Sequence, residues 1–125
     1  MIQYALLIDG CADRFGRGHA IPEGFTQVPN EIQYDDIPRM MLVSGEWSLR
    51  PVLQSHSVSG LLITLPGCPS GTAVEVSVVS TGTITHAITG SGDISLTMPE
   101  AGAYWVDILP PRPTMPKRFR VELAE

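Results

Sequence analysis

Residues 102–108 read Gly-Ala-Tyr-Trp-Val-Asp-Ile, and this stretch decides the fold. Its apolar residues Tyr104, Val106 and Ile108 stand at every second position, with Trp105 and Asp107 between them. Because successive side chains of a β-strand point to opposite faces, the alternation predicts a strand with one buried face. The turn formers at 99–102 separate this strand from the apolar run before it.

The same alternation recurs on both sides, at intervals of roughly ten residues, as is typical of a small antiparallel sandwich. It predicts six strands, over 61–65, 72–79, 83–89, 93–98, 104–108 and 118–123. Outside 104–108, the side chains predicted to point inward are Val74, Val76, Val78, Ile84, Ile88, Ile94, Leu96, Met98, Phe119, Val121 and Leu123. Turn formers at 66–71 are predicted to end the first strand, and those at 89–92 to join the third and fourth strands as a hairpin.

Residues 96–108 form a strand, a Pro/Gly turn and a Gly-x-Tyr-x-Val-x-Ile run. This order resembles the corner before the penultimate strand of immunoglobulin-like domains, where a tyrosine hydroxyl bonds to upstream backbone. The resemblance implies that role for Tyr104, while a plain core-filling role stays open. We therefore expect an all-β chain in which residues 56–125 form an immunoglobulin-like antiparallel β-sandwich.

Residues 1–55 are less regular and predict a small N-terminal β-hairpin subdomain. Ile2–Ile8 suits a strand that ends at the turn pair Asp9-Gly10, and a second turn is predicted at 15–18. The segments 39–43 and 46–50 predict a hairpin across Ser44-Gly45. Since Pro38 blocks helix continuation, little or no helix is expected.

Composition excludes several classes of function. The chain has 125 residues, 17% of them charged, and a net charge of -5, which opposes binding to nucleic acid because phosphates require a basic face. No apolar run is long enough to span a bilayer and the start lacks signal-peptide features, so we expect synthesis in a cytoplasm and no membrane insertion. Cys11 and Cys68 lie outside any CxxC pair and predict two free thiols, although a disulfide stays open.

Candidate catalytic and metal-binding groups are sparse. His19, His56 and His86 lack ligand spacing with one another, and the aspartates lack the pattern of a calcium loop, so no metal or cofactor is expected. The pairs Cys11 with His19 and Ser70 with His56 lack an activating context. No catalytic residue is predicted, and His86 is expected to be a core or interface histidine.

Several segments resemble small proteins encoded among bacteriophage tail genes. They are Tyr-Ala-Leu-Leu-Ile-Asp-Gly at 4–10, Pro-Glu-Gly at 22–24, Val-Pro at 28–29, Val-Ser-Gly-Glu-Trp at 43–47, and Pro-Pro-Arg-Pro at 110–113 leading into the last strand. The resemblance implies a virion protein of the tail, baseplate or tail fibre whose partners are other phage structural proteins, in a homo-oligomer or symmetric assembly. Two alternatives stay open: a fibre-assembly chaperone absent from the mature particle, and a sandwich that binds host glycans through exposed tryptophans.

The residues predicted to bind partners fall in three places. Trp105 and Trp47 are large aromatic anchors, and Trp105 lies on the outer face of its strand. Met40 and Met41 are adjacent in a strand, so they cannot both point into one small core. The proline-rich segment 110–120 contributes Arg112, Lys117 and Arg118, which equally fit a solvated loop or charges that protect an edge strand.

Overall fold

The computed structural model describes all 125 residues and divides into two compact units, Met1–Pro51 and Val52–Glu125. Each unit contains one five-stranded antiparallel sheet. The predicted boundary after residue 55 lies a few residues beyond the observed division. The all-β class is confirmed, since the one helix is a six-residue 3-10 helix, Tyr34–Arg39, with Pro38 inside it. The chain contains no helix that is both long and apolar enough to span a membrane.

The N-terminal sheet contains β1 to β5 in the order β3-β1-β2-β4-β5. These strands are β1 (Ile2–Ile8), β2 (Cys11–Gly18), β3 (Thr26–Val28), β4 (Met40–Val43) and β5 (Glu46–Leu49). Both predicted hairpin turns are confirmed, and φ is positive at Asp9, Gly10, Ser44 and Gly45, as in two-residue type I′ turns. The buried core of this unit is small and consists of Ala5, Ala12, Val28 and Ile37.

The second turn predicted in this unit, at 15–18, is wrong because those residues continue β2. Gly16 lies opposite Tyr4 in the β1–β2 ladder, and a Cβ at Gly16 would lie 2.8 Å from Cε1 of the Tyr4 ring. The Tyr4 ring in turn packs edge-on against Phe25, with centroids 5.5 Å apart. Glycine is needed here for the close approach of an aromatic ring, not for a chain reversal.

The C-terminal sheet contains β6 (Ser57–Ser59), β7 (Leu62–Val78), β8 (Ile84–Thr97), β9 (Gly102–Leu109) and β10 (Lys117–Leu123). Their order is β10-β9-β7-β6, and β8 pairs with β7. Four of the predicted strands are therefore two long ones, since 61–65 and 72–79 belong to β7 and 83–89 and 93–98 belong to β8. The predicted hairpin at 89–92 is wrong, and the chain reverses between β7 and β8 instead.

The turn formers at 66–71 bend the ladder without reversing it. Cys68 lies opposite Gly92 and Thr72 lies opposite Gly90, and the register shifts before and after Cys68. Bulges of this kind leave residues unpaired and increase the local bend of a sheet. The bent sheet encloses a single core and gives the unit its sandwich-like form.

Most of the inward-facing residues predicted for this unit are confirmed. The core comprises Ile63, Leu65, Cys68, Val74, Val76, Ile94, Leu96, Met98, Tyr104, Val106, Ile108, Val121 and Leu123, with Val78 and Phe119 partly buried against it. Ile84 and Ile88 are exceptions, because they are 55% and 37% exposed. Both lie in the first half of β8, which pairs only with β7.

Tyr104 fills both roles that the sequence left open. Its side chain is buried in the core, and its hydroxyl donates a hydrogen bond of 2.7 Å to the carbonyl oxygen of Glu100. This is the bond to upstream backbone that the resemblance to immunoglobulin-like corners implied.

Candidate protein-binding surface

The outer face of the C-terminal sheet gathers one aromatic, one exposed aliphatic and several charged side chains. Register brings them together, because Arg118 lies opposite Asp107, Arg120 opposite Trp105 and Glu75 opposite Asp107. We call this surface the Trp105 face and define it as Trp105, Asp107 and Leu109 of β9, Arg118 and Arg120 of β10, and Glu75 of β7.

Arg118 is held in place by two neighbours on β9. Its guanidinium carbon lies 4.4 Å from the centroid of the Trp105 ring, and its Nε lies 3.2 Å from Oδ1 of Asp107. Each contact on an exposed surface contributes about 0.5 kcal/mol to stability, so their effect on folding is small. Their effect on recognition is larger, because a guanidinium that is already oriented loses less entropy when it binds a carboxylate.

Two shallow grooves flank Leu109, which is 64% exposed at the end of β9. The first, of about 420 Å³, is lined on the outer face by Ala73, Glu75, Ala87, Thr89, Asp107 and Leu109. The second, of about 380 Å³, is lined by Asp107, Leu109, Pro116 and Arg118, among others. An exposed leucine between two concave surfaces, beside an oriented arginine, provides an apolar contact and a polar anchor at one place.

The predicted anchors in the N-terminal unit lie elsewhere and are less accessible. Met40 is buried, and Met41 and Trp47 are half-buried. Trp47 packs against the small core of its unit. As expected for adjacent strand residues, Met40 and Met41 differ in exposure, but Met40 has almost no side-chain surface to offer a partner.

The predicted basic segment is divided by the pleat of β10. Lys117 lies opposite Ile108 and next to the Phe119 ring, 5.4 Å from its centroid, whereas Arg118 points to the Trp105 face. The ring of His56 stacks on the ring of Phe119, and the two ring centroids lie 3.9 Å apart. Burial and the positive charge of Lys117 lower the pKa of His56. Arg112 is exposed in the segment before β10.

The candidate groups for chemistry are scattered. No three His, Cys, Asp or Glu side chains are close enough together to hold a metal ion. Both cysteines are free and buried, one in each unit. Burial, and then the negative charge of Asp93, raises the pKa of the Cys68 thiol, which makes this group a weaker nucleophile at neutral pH.

Sequence reasoning identified part of the Trp105 face and missed the rest. Trp105 and Arg118 were predicted and are brought into contact, but Asp107, Leu109 and Glu75 were not singled out. The period-two alternation of Trp105, Asp107 and Leu109 was available as a signal, although the predicted strand ended one residue before Leu109. The pairing with Glu75 depends on the β7–β9 register, which local sequence does not encode.

No family model, no curated protein and no solved structure matches the chain.

Proposed function

We propose that the chain is a non-enzymatic structural component of a bacteriophage virion, in the tail, baseplate or tail-fibre region, that acts through contacts with other phage proteins. The phage assignment comes from the resemblance of its N-terminal and proline-rich segments to tail-associated proteins. The observation that carries the binding role is the Trp105 face, where an oriented arginine and an exposed leucine lie side by side on the outer face of the C-terminal sheet.

The chemistry of the face specifies what its partner presents. Arg118 has five N–H donors, of which the Nε group faces Asp107, so its outer N–H groups are available to a second carboxylate. Leu109 and the grooves beside it suit an apolar side chain. The face therefore fits a protein segment that carries an acidic residue next to an aliphatic or aromatic one.

Mass spectrometry of purified phage particles tests the assignment. A structural protein is present in a fixed ratio to other tail proteins, whereas an assembly chaperone is missing from mature particles. Absence from the particle would therefore replace the structural role with the chaperone role.

A matched pair of variants tests the surface itself. We expect Arg118→Ala to reduce incorporation into particles by about tenfold or more, as for a central interface arginine. Arg17→Ala is the control, because Arg17 also lies 4.4 Å from an aromatic centroid, that of Tyr34, but in the N-terminal unit. Equal incorporation of both variants at wild-type levels would contradict a binding role for the Trp105 face.

The glycan-binding alternative receives less support from the geometry. Sugar rings stack on open aromatic faces, but the guanidinium of Arg118 covers the Trp105 ring and Trp47 packs against a core. We expect no binding on a glycan array. A specific hit that is lost in Trp105→Ala would favour the alternative.

A further inference from the structure

The C-terminal sheet is four strands wide along residues 73–77 of β7, in the order β8-β7-β9-β10. Its two edges are the first half of β8, residues 84–90, and β10, because each pairs with a strand on one side only. An edge presents a row of backbone donors and acceptors to a strand that fits beside it. Every neighbouring pair is antiparallel, so β8 and β10 run in opposite directions. The β10 edge of one copy therefore has the direction needed to continue the antiparallel order beside β8 of another copy.

The β8 edge lies beside an exposed carboxylate. Residues 83–92 contain no Lys, Arg, Asp or Glu, and Glu75 is the only charged residue of β7. Glu75 lies between Ala87 of β8 and Asp107 of β9. Like charges directly opposite each other destabilise a sheet. Glu75 therefore favours a cation on its other side, beyond the small side chain of Ala87.

Strand β10 carries a cation at a position that suits this site. Arg120 points to the outer face and Phe119 to the inner face. Because opposite residues of an antiparallel pair point to the same face, placing Arg120 opposite Ala87 of a second copy places Phe119 opposite Ile88. Arg120 and Glu75 are then two strand spacings apart, about 10 Å between Cβ atoms, a gap that the two long side chains span across the methyl group of Ala87.

This register uses the regular part of β8. The β7–β8 register shifts between Val76 and Ser77, which leaves Thr85 as an extra residue in β8. Residues 86–90 lie on one side of this bulge, and each is opposite a successive residue of β7. Their side chains therefore alternate between the two faces without interruption, as a new ladder requires.

We propose that copies of this chain associate head to tail, with residues 117–121 of β10 in one copy pairing antiparallel with residues 86–90 of β8 in the next. Arg120 of the first copy binds Glu75 of the second, and the new backbone ladder joins the two C-terminal sheets. The contact is heterologous, so repeating it builds a ring or a filament rather than a closed pair. The inference deepens the proposed function and rests on it for the role in the virion, since it names one of the subunit contacts.

The properties of β10 identify a second copy as the occupant. Among the short edge strands, β3, β5 and β6 have three or four residues and contain no Lys or Arg. Strand β10 is seven residues long and supplies a basic side chain where β8 is bordered by Glu75. It also supplies Phe119, which is half-buried in its own unit, opposite Ile88, which is 37% exposed. Charge and apolar surface therefore match in the same register.

Two charge-reversing variants test the contact, separately and as a mixture. Glu75→Arg brings two arginines together between neighbouring copies, and Arg120→Glu brings two glutamates together. Each variant alone should therefore assemble at least about tenfold more weakly than the wild type. In an equal mixture, every contact between unlike copies pairs an arginine with a glutamate. The mixture should recover assembly.

The controls make the same charge changes in the N-terminal unit. Glu46→Arg and Arg14→Glu alter exposed residues that lie outside the proposed contact. Both should assemble as the wild type does, alone and mixed. Circular dichroism verifies that every variant is folded, which is expected because Glu75 and Arg120 are exposed.

Sedimentation of the full chain over a series of concentrations measures assembly. We expect the wild type to grow from 13.5 kDa, the mass of one chain, past the dimer, because a heterologous contact leaves a free edge at each end. A wild type that stays monomeric or stops at a dimer would overturn the proposal. So would single variants that assemble as the wild type does, or a mixture that assembles no better than its components.

The result is independent of the virion assignment. A monomer that is nevertheless found in purified particles removes the β8–β10 contact alone. A chain that assembles through this contact but is absent from particles supports the contact and removes the virion role alone.

Discussion

The ring of Tyr104 is 2% exposed, and its hydroxyl contributes one hydrogen bond, to Glu100 at the edge of the core. Removing the hydroxyl in Tyr104→Phe leaves the ring packing intact, so we expect a loss of about 1 kcal/mol in the free energy of unfolding. Tyr104→Leu also replaces the aromatic ring with a smaller aliphatic side chain and is expected to cost about 3 kcal/mol. Urea denaturation of the two variants separates the hydroxyl from the ring, and equal stability of wild type and Tyr104→Phe would show that the bond contributes nothing.

His56 is a second residue where removing a single chemical group should change the free energy of unfolding by a measurable amount. Its Nδ1 is buried without a hydrogen-bond partner, while its ring stacks on Phe119. His56→Phe keeps an aromatic ring in the stack and removes the unsatisfied nitrogen. We therefore expect the variant to be more stable than the wild type at pH 8, by about 1 kcal/mol.

The same substitution has a defined pH dependence. Burial, and then Lys117, lowers the pKa of His56 below its usual value of 6.5, so the unfolded chain binds the proton more readily than the folded chain. The wild type therefore keeps its full stability above about pH 6.5 and loses part of it as the pH falls below that value. Urea midpoints at pH 8 and pH 5 should show a larger gap between His56→Phe and wild type at pH 5. The control His19→Phe changes an exposed histidine, and a gap for His56→Phe that does not depend on pH would contradict the argument.

At the scale of elements, the two hairpin turns of the N-terminal sheet allow a matched test of turn chemistry. Gly10 and Gly45 have nearly the same φ, +79° and +80°, at the same position of a two-residue turn. A Cβ at Gly10 would lie 3.0 Å from the carbonyl oxygen of Leu42, whereas a Cβ at Gly45 would meet nothing within 4 Å. The Leu42 backbone is held there by a hydrogen bond of 2.8 Å from its N–H to the Gly10 carbonyl.

We expect Gly45→Ala to cost about 1 kcal/mol, which is the strain of a positive φ in a residue with a side chain. Gly10→Ala should cost the same strain and a further loss from displacing Leu42. Thermal unfolding of the two variants gives the comparison. Equal destabilisation would show that the contact with Leu42 is absorbed without cost.

The elements also show where sequence reasoning succeeds and where it fails. Alternation is a local signal, and it correctly predicted the buried faces of β9 and β10. Turn-forming residues are a second local signal, and they correctly predicted the two-residue turns of the N-terminal sheet. The joining of four predicted strands into β7 and β8 could not be read in the same way. Turn formers at 66–71 predict a reversal when taken alone, but in the structure they form bulges in the β7–β8 ladder, where Cys68 lies opposite Gly92. That pairing is set by residues distant in sequence.

In the candidate surface, too, local sequence predicts which way a side chain points but not which residues of other strands it contacts. The alternation of 104–108 predicted that Trp105 points outward, but the contact between Trp105 and Arg118 depends on the register of β9 and β10. Ile84 and Ile88 show the reverse error. Their spacing predicts that both point inward. Ile88 lies opposite Val74 at the edge of the sheet and stays partly exposed, whereas a register shift between Val76 and Ser77 places Ile84 opposite Ser77.

On the scale of the whole molecule, the two units have cores of very different size. The N-terminal core cluster contains four buried apolar residues, two of them alanines, whereas the C-terminal core cluster contains thirteen. Because buried apolar area provides most of the driving force for folding, the N-terminal unit is expected to be the less stable of the two. The larger unit also carries the Trp105 face.

The two tryptophans allow this difference to be measured in the intact chain. Trp47 lies in the N-terminal unit and Trp105 in the C-terminal unit, and the chain has no other tryptophan. Trp105→Phe leaves Trp47 to report on the N-terminal unit, and Trp47→Phe leaves Trp105 to report on the C-terminal unit, so each substitution lies outside the unit that is observed. We expect the fluorescence of Trp105→Phe to change at a lower urea concentration than that of Trp47→Phe. Coincident transitions, matched by circular dichroism, would instead show that the two cores unfold as one cooperative structure.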